Sequence, residues 1–120
     1  MYLQNIGNVI AIRELELENG QTITIRIGKP EIYPELTHYY CPYQIVGIGK
    51  EDIRYANGVD SVQALLLALS KIGIELYTSN EATNGQMKWI GEPDLGFPVP
   101  ESIKDLVTIQ NPSIKTNFYF

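Results

Sequence analysis

The sequence predicts an α+β fold, an antiparallel sheet of four or five strands with one main helix packed on one face. Three observations carry this. Ile23, Ile25 and Ile27 alternate with Thr22, Thr24 and Arg26, the period-two signature of a strand with one buried face. An Asn19-Gly20 pair separates this run from an earlier apolar one, and such a pair tolerates the positive φ angles of a tight hairpin turn. From Asp60 onward the apolar residues recur at helical spacing instead. At 120 residues the chain suits a single domain, 1–120, with one core.

In chain order, residues 9–17 and 21–28 form the expected hairpin. The apolar phase slips between Ile12 and Leu15, and a bulge near Arg13 and Glu14 would account for it. Residues 29–42 carry Pro30, Pro34 and Pro42. These remove amide donors and bias their predecessors toward extended backbone, so an ordered loop is predicted. Residues 43–48 and 53–56 read as a second strand pair.

Asp60 followed by Gln63 is a variant of the capping box, which starts a helix. Val62, Leu65, Leu66, Leu69, Ile72, Gly73 and Leu76 form its apolar stripe. Leu76 keeps the phase, so the helix is expected to run through Gly73 to about Tyr77, with Gly73 permitting close packing. Residues 78–86 are polar and contain the turn signal Asn84-Gly85. Residues 87–90 read as a last strand carrying Trp89, placed in the core opposite the helix. A short helix over 101–107 with Pro100 near its start completes the order, and residues 108–120 are expected to dock or fray. No internal repeat is present.

Composition narrows function. Hydrophobic residues make up 44% and charged residues 19%, near the globular average, so the chain can offset its conformational entropy by burial. Nine basic against fourteen acidic residues give a net charge of -5, and no two basic residues are adjacent. Nucleic acid is therefore not expected as a partner, and a basic protein is the partner the charge selects. Cys41 is the only cysteine, which excludes an internal disulfide and a thiolate-rich metal cage; no metal or other cofactor is expected. The amino-terminal segment has no basic stretch followed by a long apolar one, so a membrane is not expected as a partner and a cytoplasmic location is.

Four groups of residues invite a chemical reading. His38 and Cys41 could form a base and nucleophile, yet no third group is placed beside them, and a buried inert cysteine is the commoner fate of that residue type. Gly47-Ile48-Gly49 lacks the third glycine and the following helix of a dinucleotide fingerprint, because Asp52 stands in its place. Glu14, Glu16 and Glu18 share one strand face, either as a solvated face that discourages aggregation or as an acidic docking patch. Tyr39, Tyr40 and Tyr43, and Phe118, Tyr119 and Phe120 at the end, concentrate the residue class that dominates interfaces.

The stretches CPYQI (41–45), GVDSVQALLLALSKIG (58–73), MKWIG (87–91) and DLGFP (94–98) resemble a family of small uncharacterised bacterial proteins, a domain of unknown function. Its pattern joins a cysteine-proline-tyrosine strand start, a GVDxxQAL helix start and a GFP loop. The resemblance covers about residues 9–98. It implies no catalytic residue, and it implies that Cys41, Asp60, Gln63, Trp89 and Phe97 belong to one unit.

Three functional classes stand open. The leading one is a non-catalytic protein-binding module such as an immunity-like protein that masks a toxin, with Glu14, Glu16, Glu18, Tyr39 and Tyr40 as partner-binding residues. The second is a small-ligand binder or enzyme using the loop from His38 to Tyr43, with His38 and Cys41 as its candidates. The third is a structural homo-oligomer.

Overall fold

A computed structural model describes residues 4–35, 37–110, 112 and 118–119. The fold is α+β. Strands β1 (Val9–Leu17), β2 (Thr22–Gly28), β3 (Glu31–Ile32), β4 (Tyr39–Val46) and β5 (Arg54–Gly58) precede helix α1 (Ser61–Tyr77). Helix α2 (Asn80–Thr83), β6 (Met87–Lys88), β7 (Val99–Pro100), a 3-10 turn (Glu101–Ile103), α3 (Lys104–Gln110) and β8 (Phe118–Tyr119) follow. The sheet runs β3-β4-β2-β1-β6, with β5 also on β4. The strand beyond the four or five expected is β3, only two residues long and hidden in the sequence between Pro30 and Pro34.

The chain divides into two compact units, one of Met1–Arg13 with Ile23–Ala68, the other of Glu14–Thr22 with Leu69–Phe120. In the first unit β4 is antiparallel to β2 (Ile27 opposite Tyr43), to β3 (Glu31 opposite Tyr40) and to β5 (Cys41 opposite Ala56). Its buried side chains include Ile23, Ile25, Ile27, Cys41, Tyr43, Ile45, Ala56, Ala64 and Ala68. From Ile27 to Glu31 is four steps, and from Tyr43 to Tyr40 is three, so one extra residue is accommodated between β2 and β3. That is the geometry of a β-bulge. It falls beside Pro42, a residue with no amide hydrogen to offer the ladder.

The bulge expected at Arg13 and Glu14 is not needed. Ile10 and Ile12 are 50% and 61% exposed and share a face with Glu14 and Glu16 by strand alternation, while Leu15 and Leu17 are buried. The exposure of Ile10 and Ile12 by itself accounts for the apolar slip. The loop expected over 29–42 is likewise corrected. It contains β3 and the first half of β4, because flanking strands capture this proline-bearing segment in spite of its local preference.

Helix α1 starts as its cap predicts. Asp60 Oδ1 accepts from Gln63 N at 2.8 Å, and Gln63 Oε1 accepts from Val59 N at 2.7 Å. A Cβ on Gly58 would lie 2.2 Å from Ala64 N, so β5 and the first helical turn meet backbone to backbone. The apolar stripe is rotated from the expected one. Val62 is 63% exposed and Leu66 40%, whereas Ala64, Ala68, Ile72 and Leu76 are fully buried. Small residues let the helix approach closely, and the larger ones at its start face solvent.

In the second unit the hairpin end closes through Leu17 N to Gln21 O at 2.8 Å, with Gly20 at φ 92°. Strand β6 pairs antiparallel with β1, Glu16 opposite Lys88 and Leu17 opposite Met87. Leu95, Phe97 and Val99 are buried in alternation, the pattern of an extended segment docked on one side. The polar stretch 78–86 contains, ahead of its Asn84-Gly85 turn signal, the short helix α2, whose first turn Ser79 caps by accepting from Ala82 N at 3.2 Å. Trp89 is half-buried and bridged to Glu92, and the buried residue of that strand is Met87, so the tryptophan does not complete the core. The 3-10 turn and α3 occupy the expected helical stretch. Strand β8 pairs in parallel with β7, and the remaining expectations for the tail fall on residues 111, 113–117 and 120, outside the described residues.

Candidate functional site

The outer face of the first unit's sheet is built by strand alternation. On β4, Cys41, Tyr43 and Ile45 point into the core, so Tyr40, Pro42, Gln44 and Val46 point the other way. On β5, Asn57 lies opposite Tyr40 and Tyr55 opposite Pro42. The connection from β3 to β4 returns Tyr33 to this face, since Tyr33 N donates to His38 O at 3.1 Å. Tyr33 then stands at the centre of an aromatic group. Its ring meets His38 edge-on with centroids 4.9 Å apart and Tyr40 at 5.0 Å, and its hydroxyl donates to Asn57 Oδ1. Burial, together with the neighbouring phenols of Tyr55 and Tyr40, pushes the Tyr33 pKa up from the ordinary tyrosine value. The phenol therefore stays a neutral hydrogen-bonding group across the physiological range. Beside it, Arg26 Nη1 donates to Gln44 Oε1 at 2.8 Å, and Gln44 Nε2 donates to Glu51 O at 2.8 Å, so the face continues as an ordered polar surface.

Tyr39 and Tyr40, adjacent in sequence, go to opposite faces: Tyr39 lies opposite Gly58 and Ile32 on the core side. Tyr40 alone joins the aromatic group. His38 packs on Tyr33, while Cys41 is fully buried on the inner side of β4 with its thiol donating to Gly28 O at 3.5 Å. Burial pushes that thiol up to about 11. The imidazole and the thiol are not brought together. Gly47 and Gly49 take φ 118° and 57°, and Gly47 N donates to Glu51 Oε2 at 2.9 Å, which makes the segment a tight turn.

Glu14, Glu16 and Glu18 are exposed in the second unit. Glu16 and Glu18 border a shallow depression of about 380 Å³ with Leu17, Gly85, Gln86 and Lys88. Among the described residues no group of three histidine, cysteine, aspartate or glutamate side chains converges as a metal site, and no helix is long and apolar enough to cross a membrane.

Sequence reasoning missed Tyr33, Tyr55 and Asn57. The available signal was parity: with Tyr40 fixed on a strand, residues 55 and 57 of the partner strand share its face.

A family described as a domain of unknown function, DUF6968, matches residues 11–99. The chain belongs to DUF6968. The match runs from within β1 to within β7, so the DUF6968 region contains the whole aromatic face, the capped helix and the docked 94–98 segment, and α3 and β8 lie beyond it. Neither the curated proteins nor the solved structures gave a match.

Proposed function

We propose that this chain is a non-catalytic protein-binding module whose contact surface is the outer sheet face around Tyr33, His38, Tyr40 and Tyr55. The observation that carries the reading is the Tyr33 cluster. Rings held by one another and by Asn57 on a solvent-facing sheet present large area at small entropic cost, the property that makes tyrosine prominent at interfaces. The net charge of -5 selects a basic partner, and the exposed Glu14, Glu16 and Glu18 supply long-range attraction. An immunity-type role, stoichiometric masking of a basic toxin, is one form of this function.

Photo-crosslinking from an unnatural side chain at Tyr55 in the source cells would capture a partner, which is then purified for binding kinetics. Tyr33→Ala with Tyr55→Ala is expected to speed dissociation, and Glu14→Lys with Glu16→Lys to slow association and flatten its salt dependence. A purified partner whose footprint avoids the outer face, or whose kinetics ignore both pairs, would sink the reading.

A further inference from the structure

Next to the aromatic group, the amino-terminal residues 4–7 border a cleft of about 370 Å³ lined by Gln4, Asn5, Ile6, Gly7, Glu31, Tyr40 and Pro42. We propose that this cleft receives an arginine side chain of the partner, a proposal that rests on the protein-binding reading above. The register supplies the pairing. Glu31 and Tyr40 are direct cross-strand partners, so a carboxylate and a phenol ring leave the sheet side by side. Tyr40 leans on Tyr33 and also lines the cleft, so its ring is held by one neighbour while it borders the open space.

The other walls are fixed as well. Asn5 Oδ1 accepts from Gly7 N at 3.0 Å, which sets the turn of the amino-terminal segment. A Cβ on Gly28 would lie 2.6 Å from Pro42 Cγ and 2.7 Å from Ile6 O, so Ile6 and Pro42 close together over Gly28 and form a rigid base. Among the described residues no lysine or arginine lines the cleft and none pairs with Glu31. Among the described lining residues the charged one is Glu31, which repels an anion and attracts a cation.

A planar guanidinium suits these walls better than an ammonium. It can take the carboxylate through two parallel hydrogen bonds while its face lies on the tyrosine ring, and the amides of Gln4 and Asn5 offer polar contacts along its edge. The volume falls in the lower range of small-ligand pockets, room for one long side chain and little more.

The test is an amide-resolved NMR titration of the full chain at low salt with N-acetyl-arginine amide, with its neutral isostere N-acetyl-citrulline amide, and with free L-arginine. Saturable shifts at Gln4, Asn5, Gly7, Glu31 and Tyr40 with the arginine amide, and none with the citrulline amide, are expected. Glu31→Gln should weaken binding by about tenfold or more, Tyr40→Ala should weaken it, and Tyr40→Phe should retain it. Equal binding of the citrulline amide, or shifts that bypass the cleft, overturns the proposal. So does tighter binding of free L-arginine than of the capped amide, because the site would then read the amino acid itself. If the arginine amide binds as described and a partner docks away from both the outer face and the cleft, the cleft is still an arginine site, but the outer-face reading and the partner as the source of that arginine both fail. If a partner covers the outer face and the cleft ignores arginine, the reverse holds.

Discussion

Gly73 lies against the backbone of Pro98: a Cβ built on Gly73 would come within 2.1 Å of the Pro98 carbonyl oxygen and 3.1 Å of a Val99 methyl. The extended 94–98 segment therefore docks on a part of α1 that only glycine can supply. In an exposed helix, Gly→Ala stabilises by about 1 kcal/mol. Here the overlap with a carbonyl that the prolines hold in place outweighs that gain, and Gly73→Ala is expected to destabilise by about 1–3 kcal/mol. A urea midpoint that rises in the variant would show that the close approach is not a constraint.

One turn further on, Tyr77 joins the same segment through its hydroxyl, which donates to Asp94 Oδ1 at 3.0 Å and accepts from the buried Leu95 amide at 2.9 Å. Asp94 Oδ1 also accepts from Gly96 N at 2.9 Å. Tyr77→Phe keeps the ring and deletes the acceptor, at an expected cost of about 1–3 kcal/mol. Hydrogen exchange gives the local readout: the Leu95 amide should lose protection by more than the global change accounts for. Unaltered exchange at Leu95 would contradict the role assigned to the hydroxyl.

At the other end of α1, Asp60→Ala removes the acceptor for Gln63 N and is expected to cost about 1 kcal/mol. Gln63→Ala should cost less than this, because the Val59 amide that Gln63 satisfies is on an exposed residue and can turn to water. The reverse ranking of the two variants in thermal denaturation would mean that the glutamine, not the aspartate, anchors the helix.

These contacts mark where the fold was legible. The cap, the helix end at Tyr77 and the Asn19-Gly20 hairpin depend on residues close in sequence, and local chemistry alone dictates them. The outcome differed wherever distant segments decide. Val62 and Leu66 have the spacing of core residues, yet Ala64 and Ala68 are buried because β5 approaches the helix backbone at Gly58. Strand β3 and the start of β4 lie between prolines and form because the strands alongside satisfy them. The aromatic face was half legible: Tyr40 stood out by its neighbours in sequence, but Tyr33, Tyr55 and Asn57 reach it only through strand register and a turn. Adjacent tyrosines 39 and 40 looked like one cluster, and strand alternation separates them.

Cys41 permits the last prediction. The thiol is fully buried on the inner face of β4, where it faces Gly28 O at 3.5 Å and Pro42 O at 4.0 Å, and burial pushes its pKa from an ordinary 9.0 to about 11. A group whose folded pKa is raised and whose charged form is the thiolate binds its proton more tightly in the folded state. Its contribution is fully present below pH 9 and is lost as the pH rises from about 9 toward about 11. Tyrosines titrate in the same window, so the comparison is with Cys41→Ala, which keeps them: the gap in urea midpoint between the two proteins should be constant from pH 7 to 8.5 and should narrow or reverse by pH 10.5. The same burial keeps the thiol from reagents at pH 7. Labelling should follow the rate of opening of the sheet and accelerate in step with added urea below the transition, while the unfolded chain reacts at once. Stoichiometric modification of the folded protein within seconds at pH 7, or a midpoint gap that ignores pH, would place Cys41 at an accessible and activated site instead.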